Sequence, residues 1–239
     1  QAFEAALQKD KASFAAVSGL VSVDLAEKKL DQARQRLQDS MKAYPRNHYA
    51  LLAMAELNVF TGAPLDEVRK ALTGAIQLAP SDPQPRLMLI DQLLRKRQFK
   101  DALVAAQDAA AVLPNDVRVL DAVGRAQLES GDVEQAISTY RRLVANEPNS
   151  AAAHLRLGEI FKNSGRRPQA EAALRKALDL DRNLLAAQGS LLDLLIDSGR
   201  RSEALAFTRK LQSEQPKQPA GYLLEGAYHA KGKAVDAAV

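Results

Sequence analysis

The residue types that perform catalysis or hold metals are sparse in this sequence and lie far apart. There is no cysteine, which excludes thiol catalysis, disulfides and thiolate metal sites. The three histidines, His48, His154 and His229, are widely separated, and neither an H-E-x-x-H motif nor a glycine-rich phosphate loop is present. We therefore predict that the chain is not an enzyme and that it uses no metal and no cofactor.

Charged residues, in contrast, recur at constant spacing. The series Glu56, Asp91, Arg125, Glu159 and Asp193 has positions that differ by 35, 34, 34 and 34 in turn. A regular row of acids interrupted by one arginine suits electrostatic recognition of a partner with mixed charge better than it suits acid–base chemistry.

A second charged pattern consists of two arginine pairs, Arg166-Arg167 and Arg200-Arg201, which are separated by the same interval. If the chain repeats at this interval, the pairs align along one edge and form a basic ridge. Such a ridge would attract an anionic glycan or the headgroups of a membrane surface. Solvated turns without a partner are the alternative interpretation.

The same interval governs the residues that break helices. Glycines occur at positions 131, 165 and 199, and prolines at positions 45, 80, 114, 148 and 216, where one proline position is skipped before the last. A chain that is rich in Ala and Leu, with 46% hydrophobic and 5% aromatic residues, favours helix over strand. Self-similarity at this period predicts stacked helical units.

Each unit contains two apolar helical stripes, one ending at the glycine and one at the proline. In residues 117–150 the first stripe includes Leu120 and Val123, and the second includes Ala136 and Tyr140. The residue two places after the proline is the expected N-cap of the next helix, and it is Asn47, Asp82, Asp116 or Ser150 in four units.

These positions resemble the tetratricopeptide repeat (TPR) pattern. In residues 151–184 the matching residues are Leu157-Gly158, Phe161, Gly165, Ala170 and Ala177, although the family's tryptophan is absent throughout. The resemblance implies an all-α fold, a right-handed superhelical solenoid of stacked antiparallel helix pairs.

The shared phase divides the whole chain into repeats. The segment before Phe14 fits the second helix of a preceding repeat, and residues 48–82 contain one inserted residue, which we place in the turn "TGAPLDE". The predicted units are 1–13 (one helix), 14–47, 48–82, 83–116, 117–150, 151–184, 185–218 and a partial repeat, 219–239.

Three segments, 61–68, 85–116 and 184–226, are similar to a narrower family, the TPR-repeat lipoprotein associated with PEP-CTERM (exosortase) protein sorting and exopolysaccharide gene clusters. This similarity implies a periplasmic or membrane-anchored scaffold in a Gram-negative bacterium. The first residues read as the middle of a helix, so we expect the lipoprotein cysteine and any targeting segment upstream of this chain.

In TPR arrays the first helix of each repeat lines the concave face, which implies a groove for a protein or peptide. Phe60 would be either an exposed partner anchor or a contact hidden by the next repeat. The predicted groove residues are Leu52, Glu56, Val59, Phe60, Leu87, Asp91, Leu94, Arg95, Arg118, Asp121, Arg125, Leu128, Leu155, Glu159, Lys162 and Asp193.

The net charge of +4 is spread evenly: residues 1–120 contain 16 Lys and Arg against 14 Asp and Glu, and residues 121–239 contain 17 against 15. With no basic block or tail, we predict no nucleic-acid partner. The main prediction is a non-catalytic interaction scaffold. The alternatives are a recruiting domain of a larger enzyme, such as a glycosyltransferase, and direct binding of an anionic polysaccharide.

Overall fold

The computed structural model describes residues 2–10 and 13–236, with side chains as far as residue 231. The described residues form helices and turns and contain no strand, which confirms the predicted all-α class. The helices are α1 (Ala2–Lys9), α2 (Phe14–Ala26), α3 (Leu30–Ala43), α4 (His48–Phe60), α5 (Leu65–Leu78), α6 (Pro83–Arg95), α7 (Phe99–Val112), α8 (Val117–Glu129), α9 (Val133–Asn146), α10 (Ala151–Asn163), α11 (Arg167–Leu180), α12 (Leu185–Asp197), α13 (Arg201–Glu214) and α14 (Ala220–Asp236).

Helices α2 to α13 form six pairs, and each pair lies within one of the six full repeat spans that the sequence predicts. The second helix of each pair is one residue longer than the first. Helices α1 and α14 occupy the two partial spans, 1–13 and 219–239, of which residues 1, 11–12 and 237–239 lie outside the described residues. None of the described helices combines the length and apolar character that crossing a membrane requires.

The turn inside each pair has three residues, except that the turn between α4 and α5 has four, residues 61–64. This longer turn holds the extra residue of the 48–82 span. The backbone of every such turn passes through a positive φ, which glycine adopts at Gly62, Gly131, Gly165 and Gly199. In the other two pairs Lys28 and Arg97 take the same position, with φ of 60° and 58°.

The predicted N-cap residues lie at the N-termini of α4, α6, α8 and α10, and their side chains bond to the first turn of each helix. The side chains of Asn47, Asp82 and Asp116 accept a hydrogen bond from the backbone N–H two residues later, and Ser150 accepts one from Ala153. Ser13, in phase with them, makes no such bond. The caps satisfy backbone donors that the helix itself leaves unpaired.

The chain divides into two compact units, residues 1–130 and 131–239. In the first unit, apolar clusters form between successive helices, for example around Ala33, Leu37 and Met54 and around Ile90, Ala106 and Val119. The boundary between the units falls between α8 and α9, which the sequence assigns to one repeat.

The second unit is built in the same way. Tyr140, Ile137 and Leu174 are fully buried, and Phe161 is nearly so, as expected for core rather than ligand-stacking aromatics. Helices α10 and α11 approach each other closely at Gly158, where a Cβ would lie 2.7 Å from Leu174 Cγ. Any larger residue at this position would therefore force Leu174 or its helix to shift.

Candidate partner-binding groove

First helices of successive repeats contact one another within each unit, except that α4 and α6 make no comparable contact. Helix α2 contacts α4 and α6 contacts α8 in the first unit, and α10 contacts α12 and α12 contacts α14 in the second. No pair of successive second helices makes comparable contact in the described part of the chain. In these repeats the first helices therefore lie closer to one another than the second helices do.

Most of the apolar groove residues pack against the core and are also partly accessible to solvent. Leu52 and Val59 pack partly against the cluster of Ala55 and Leu72, and Leu87 and Leu94 pack partly against the cluster of Ile90. Each keeps an accessible fraction, as does Leu128. Together these side chains give the predicted groove of the first unit a partly apolar surface.

Leu155 is a correction to the predicted set. Its side chain is only 8% exposed, so it belongs to the core of the second unit and offers a partner almost no area. It occupies the place where Leu52 and Leu87 keep accessible surface, so position in the repeat alone does not determine exposure.

Phe60 is 69% exposed, the largest exposed fraction among the large apolar residues of the described chain. It occupies the last position of α4. Of the two interpretations that the sequence allowed, concealment by the next repeat is therefore wrong, and the aromatic ring is accessible to a partner.

The charged groove residues of the first unit neutralise one another. Asp91 accepts a hydrogen bond from Arg95 at 2.7 Å and lies 3.7 Å from Arg125 of the next repeat. Arg125 in turn donates to Asp121 at 3.0 Å. These two acids and two arginines form a charge ladder across α6 and α8 that has no net charge.

Arg118 lies at the start of α8, where it donates to the N-cap Asp116 at 2.6 Å. This hydrogen bond holds the pKa of the Asp116 carboxyl below its usual value. Arg118 thereby reinforces the cap of α8, and its charge is already compensated.

The groove acids of the second unit are also paired. Glu159 lies 3.4 Å from Arg156 and accepts from Ser190 Oγ at 3.4 Å. Asp193 lies 3.8 Å from Lys162 and 2.5 Å from Lys231. These contacts link each first helix to the next one, so the predicted row of charges also joins repeats.

Glu56 is the exception in this row. It makes no hydrogen bond and no ion pair with any described residue. Solvent still reaches its side chain, but partial burial raises the pKa of its carboxyl, and no nearby charge offsets the effect. It lies one turn before Phe60 on α4, so the unpaired acid and the exposed aromatic are neighbours.

The basic ridge has fewer free charges than its sequence suggests. Arg166 donates to Glu134, and Arg200 donates to Glu171 at 2.6 Å and to Glu203 at 2.6 Å. Arg167 remains exposed. Acids of the preceding second helix, Glu134 and Glu171, and Glu203 of α13 itself therefore compensate part of the predicted ridge. The repeat pattern does not reveal Glu134 and Glu171, because their separation from the arginines is out of phase with the repeat.

Two clefts on the side of the second helices have no signal in the sequence pattern. One, of about 840 Å³, lies between α3 and α5 over Leu51 and Met54, and the other, of about 560 Å³, lies between α11 and α13 over Leu191 and Leu195. In the second cleft, Glu214 lies 3.5 Å from Arg182 and 3.8 Å from Lys210. The lining of each cleft combines acidic and basic side chains.

Comparisons with known proteins agree with this architecture. A tetratricopeptide repeat model matches residues 122–184. Cellulose synthase operon protein C of Komagataeibacter xylinus is 34% identical over 108 residues, which is 44% of this chain and 8% of that protein. The chain thus spans less than a tenth of the length of this relative.

Solved structures show the same fold. A crystal structure of PilW, described as a widely conserved type IV pilus biogenesis factor, aligns with a TM-score of 0.67 and 16% identity over 90% of this chain and 98% of that one. YrrB, described as a TPR protein with an unusual peptide-binding site, aligns with a TM-score of 0.57 and 19% identity over 78% and 96%. The repeat match and the fold together support the tetratricopeptide repeat family.

Proposed function

We propose that this chain is a non-catalytic protein-interaction scaffold that acts in envelope-associated protein sorting or in exopolysaccharide production and export. The observation that carries the proposal is the row of first helices, which presents partly exposed apolar side chains and, at Glu56, an unpaired acid. Stacked helices hold this surface rigidly, so several weak contacts along it add up to useful affinity.

Two features support the exopolysaccharide context. The chain is similar to cellulose synthase operon protein C, a protein named for a polysaccharide operon. Its segments 61–68, 85–116 and 184–226 also resemble the PEP-CTERM-associated lipoprotein of exopolysaccharide clusters. We propose accordingly that the protein acts in the envelope of a Gram-negative bacterium, in the periplasm or anchored to a membrane.

Site-specific photo-crosslinking in cells that secrete exopolysaccharide tests the proposal. A photoreactive amino acid replaces Phe60 on the first-helix side or, as the matched control, Val104, which is 57% exposed on the second helix α7. Cross-links from position 60 to a component of the polysaccharide export apparatus, absent from position 104, are expected. Equal labelling from both positions, or unchanged secretion after deletion of the gene, would contradict the scaffold.

The small share of the relative that the chain covers favours one second candidate, a recruiting module inside a larger protein. That protein would carry a catalytic domain such as a glycosyltransferase. Purification of the natural gene product and measurement of its mass and transferase activity separates the two candidates. Direct binding of anionic polysaccharide is less favoured, because Arg166 and Arg200 are already paired with acids.

A further inference from the structure

The unpaired state of Glu56 is unusual among the groove acids. Asp91, Glu159 and Asp193 occupy the equivalent position in their repeats and each contacts a cation within the same unit. Glu56 has none among the described residues, and its side chain is exposed. An exposed carboxylate that no cation of the protein compensates attracts a cation from outside.

Phe60 adds an apolar contact beside this carboxylate. In the equivalent row of first-helix ends, the other residues are Ala26, Arg95, Glu129, Asn163 and Asp197. Only the α4 position among these offers a large apolar side chain, and that side chain lies in solvent. Aromatic anchors of this kind frequently dominate the affinity of an interface.

The spacing of the two side chains indicates the form of the partner. Residues four apart on a helix are separated by about 6 Å along its axis. In an extended peptide, residues two apart point to the same side and are separated by about 6.7 Å. A cationic and an apolar side chain at positions i and i+2 of such a peptide would reach Glu56 and Phe60 together.

We propose that Glu56 and Phe60 form a docking pair for an extended segment of a partner protein that carries a lysine or arginine two residues from a large apolar residue. This inference rests on the proposed scaffold function and specifies the chemistry of its partner. The neighbouring charge ladder of α6 and α8 has no net charge, so it does not compete with Glu56 for the cation.

The test begins with a displayed library of random ten-residue peptides selected on the full chain at low salt. We expect enrichment of sequences with Lys or Arg two positions from Phe, Leu, Ile or Trp, in either order. The most enriched peptide is then synthesised with a fluorescent label, and its anisotropy is titrated with the wild-type chain and with variants. Phe60→Ala and Glu56→Lys should each weaken binding by about 10-fold or more.

The second helix α7 supplies a matched control. Val104 is exposed and Asp108 follows it by four residues, exposed and without a partner among the described residues, so the pair has similar chemistry on the opposite row of helices. Val104→Ala and Asp108→Asn should leave the affinity unchanged. Because Glu56 and Phe60 are both exposed, circular dichroism should show that their variants fold as the wild type does.

Three results would overturn the inference. The first is a set of selected peptides that lack the cation. The second is a peptide affinity that Glu56→Lys does not change. The third is self-association of the chain in sedimentation experiments that Phe60→Ala abolishes, which would assign the surface to a second copy. If these results occurred while cross-links from position 60 to the export apparatus persisted, the docking chemistry would fail and the scaffold function would stand. If the peptides bound as predicted but position 60 gave no such cross-links, the docking chemistry would stand and the proposed scaffold function would fail.

Discussion

Lys28 and Gly62 occupy the same turn position in successive repeats and hold the same left-handed backbone conformation, with φ of 60° and 71°. Each residue connects the two helices of its repeat. An L-residue has a conformational cost in this region that glycine does not, so the lysine turn is the more strained of the two.

Replacing Lys28 with glycine should therefore stabilise the protein by about 0.5–1 kcal/mol. Gly62→Ala should destabilise it by a similar amount, since a Cβ at Gly62 meets no atom within 4 Å and the cost arises from the backbone alone. Urea unfolding at constant m-value measures both changes. Lys29→Gly, at a φ of −89°, is the control, and a stabilisation equal to that of Lys28→Gly would refute the explanation.

Gly158 and Gly189 lie inside helices of the second unit and should respond oppositely to alanine. At Gly158 the new Cβ would lie 2.7 Å from Leu174 Cγ and 3.2 Å from the Leu174 backbone nitrogen, so Gly158→Ala should cost about 1–3 kcal/mol. At Gly189 nothing lies within 4 Å, and Gly189→Ala should gain about 0.5–1 kcal/mol through helix propensity. Thermal unfolding of the two variants provides the comparison, and the same sign for both would rule out this explanation of α10 packing.

The cap of α8 offers a third measurement. Asp116 accepts from the N–H groups of Arg118 and Val119, whereas Ser13 caps α2 with no side-chain bond. Asp116→Ala should destabilise the protein by about 1 kcal/mol, and Ser13→Ala should have little effect. Equal losses in chemical denaturation would show that the side-chain bonds at Asp116 contribute nothing.

Arg200 should make the stability of the second unit depend on acid pH. Its hydrogen bond is the main cause that lowers the pKa of Glu171, with a smaller contribution from Arg175. A lowered carboxyl pKa gives stability that is present above the unfolded value of about 4.3 and is lost as pH falls through the folded value.

The variant Arg200→Ala should consequently be less stable than the wild type at pH 7, and the difference from wild type should shrink below pH 4. Equilibrium unfolding from pH 7 to pH 2.5 follows this change. Arg167→Ala, at an exposed arginine, should give a flat difference, and an Arg200→Ala difference that grows in acid would contradict the assignment.

Glu56 should show the opposite pH dependence. Because burial raises the pKa of its carboxyl, the folded state binds the proton more readily than the unfolded state, and stability falls as pH rises through that window. Glu56→Gln should therefore stabilise the protein at pH 7 by about 0.5 kcal/mol or less, since solvent still reaches the side chain. The gain should vanish in acid, whereas Asp108→Asn should show no such gain at pH 7.

The regular part of the fold could be predicted from the sequence because the local signals agree with one another. The turn glycines, the helix-ending prolines and the caps Asn47, Asp82 and Asp116 mark helix ends that the structure reproduces. Lys28 and Arg97 could not be predicted in the left-handed turn position, since nothing in their chemistry favours it. The neighbouring helices impose that conformation, which overrides the preference of the residue itself.

The candidate site could be predicted by position but not by electrostatic state. The repeat phase correctly indicated which residues lie on first helices, including Phe60. It gave no means of knowing that Asp91 and Arg125 compensate each other while Glu56 is left alone, because pairing depends on side-chain reach across a repeat. The same limit applied to Leu155, whose burial depends on its local neighbours, and to Arg200, whose partner lies on the preceding second helix.

The substantial contacts within each unit join helices that are adjacent or next but one along the chain. A polypeptide connected in this way closes only short loops as it acquires its structure, which favours fast folding. Assembly can begin at any helix pair and spread to its neighbours, so a nascent chain could start to organise before its synthesis is complete.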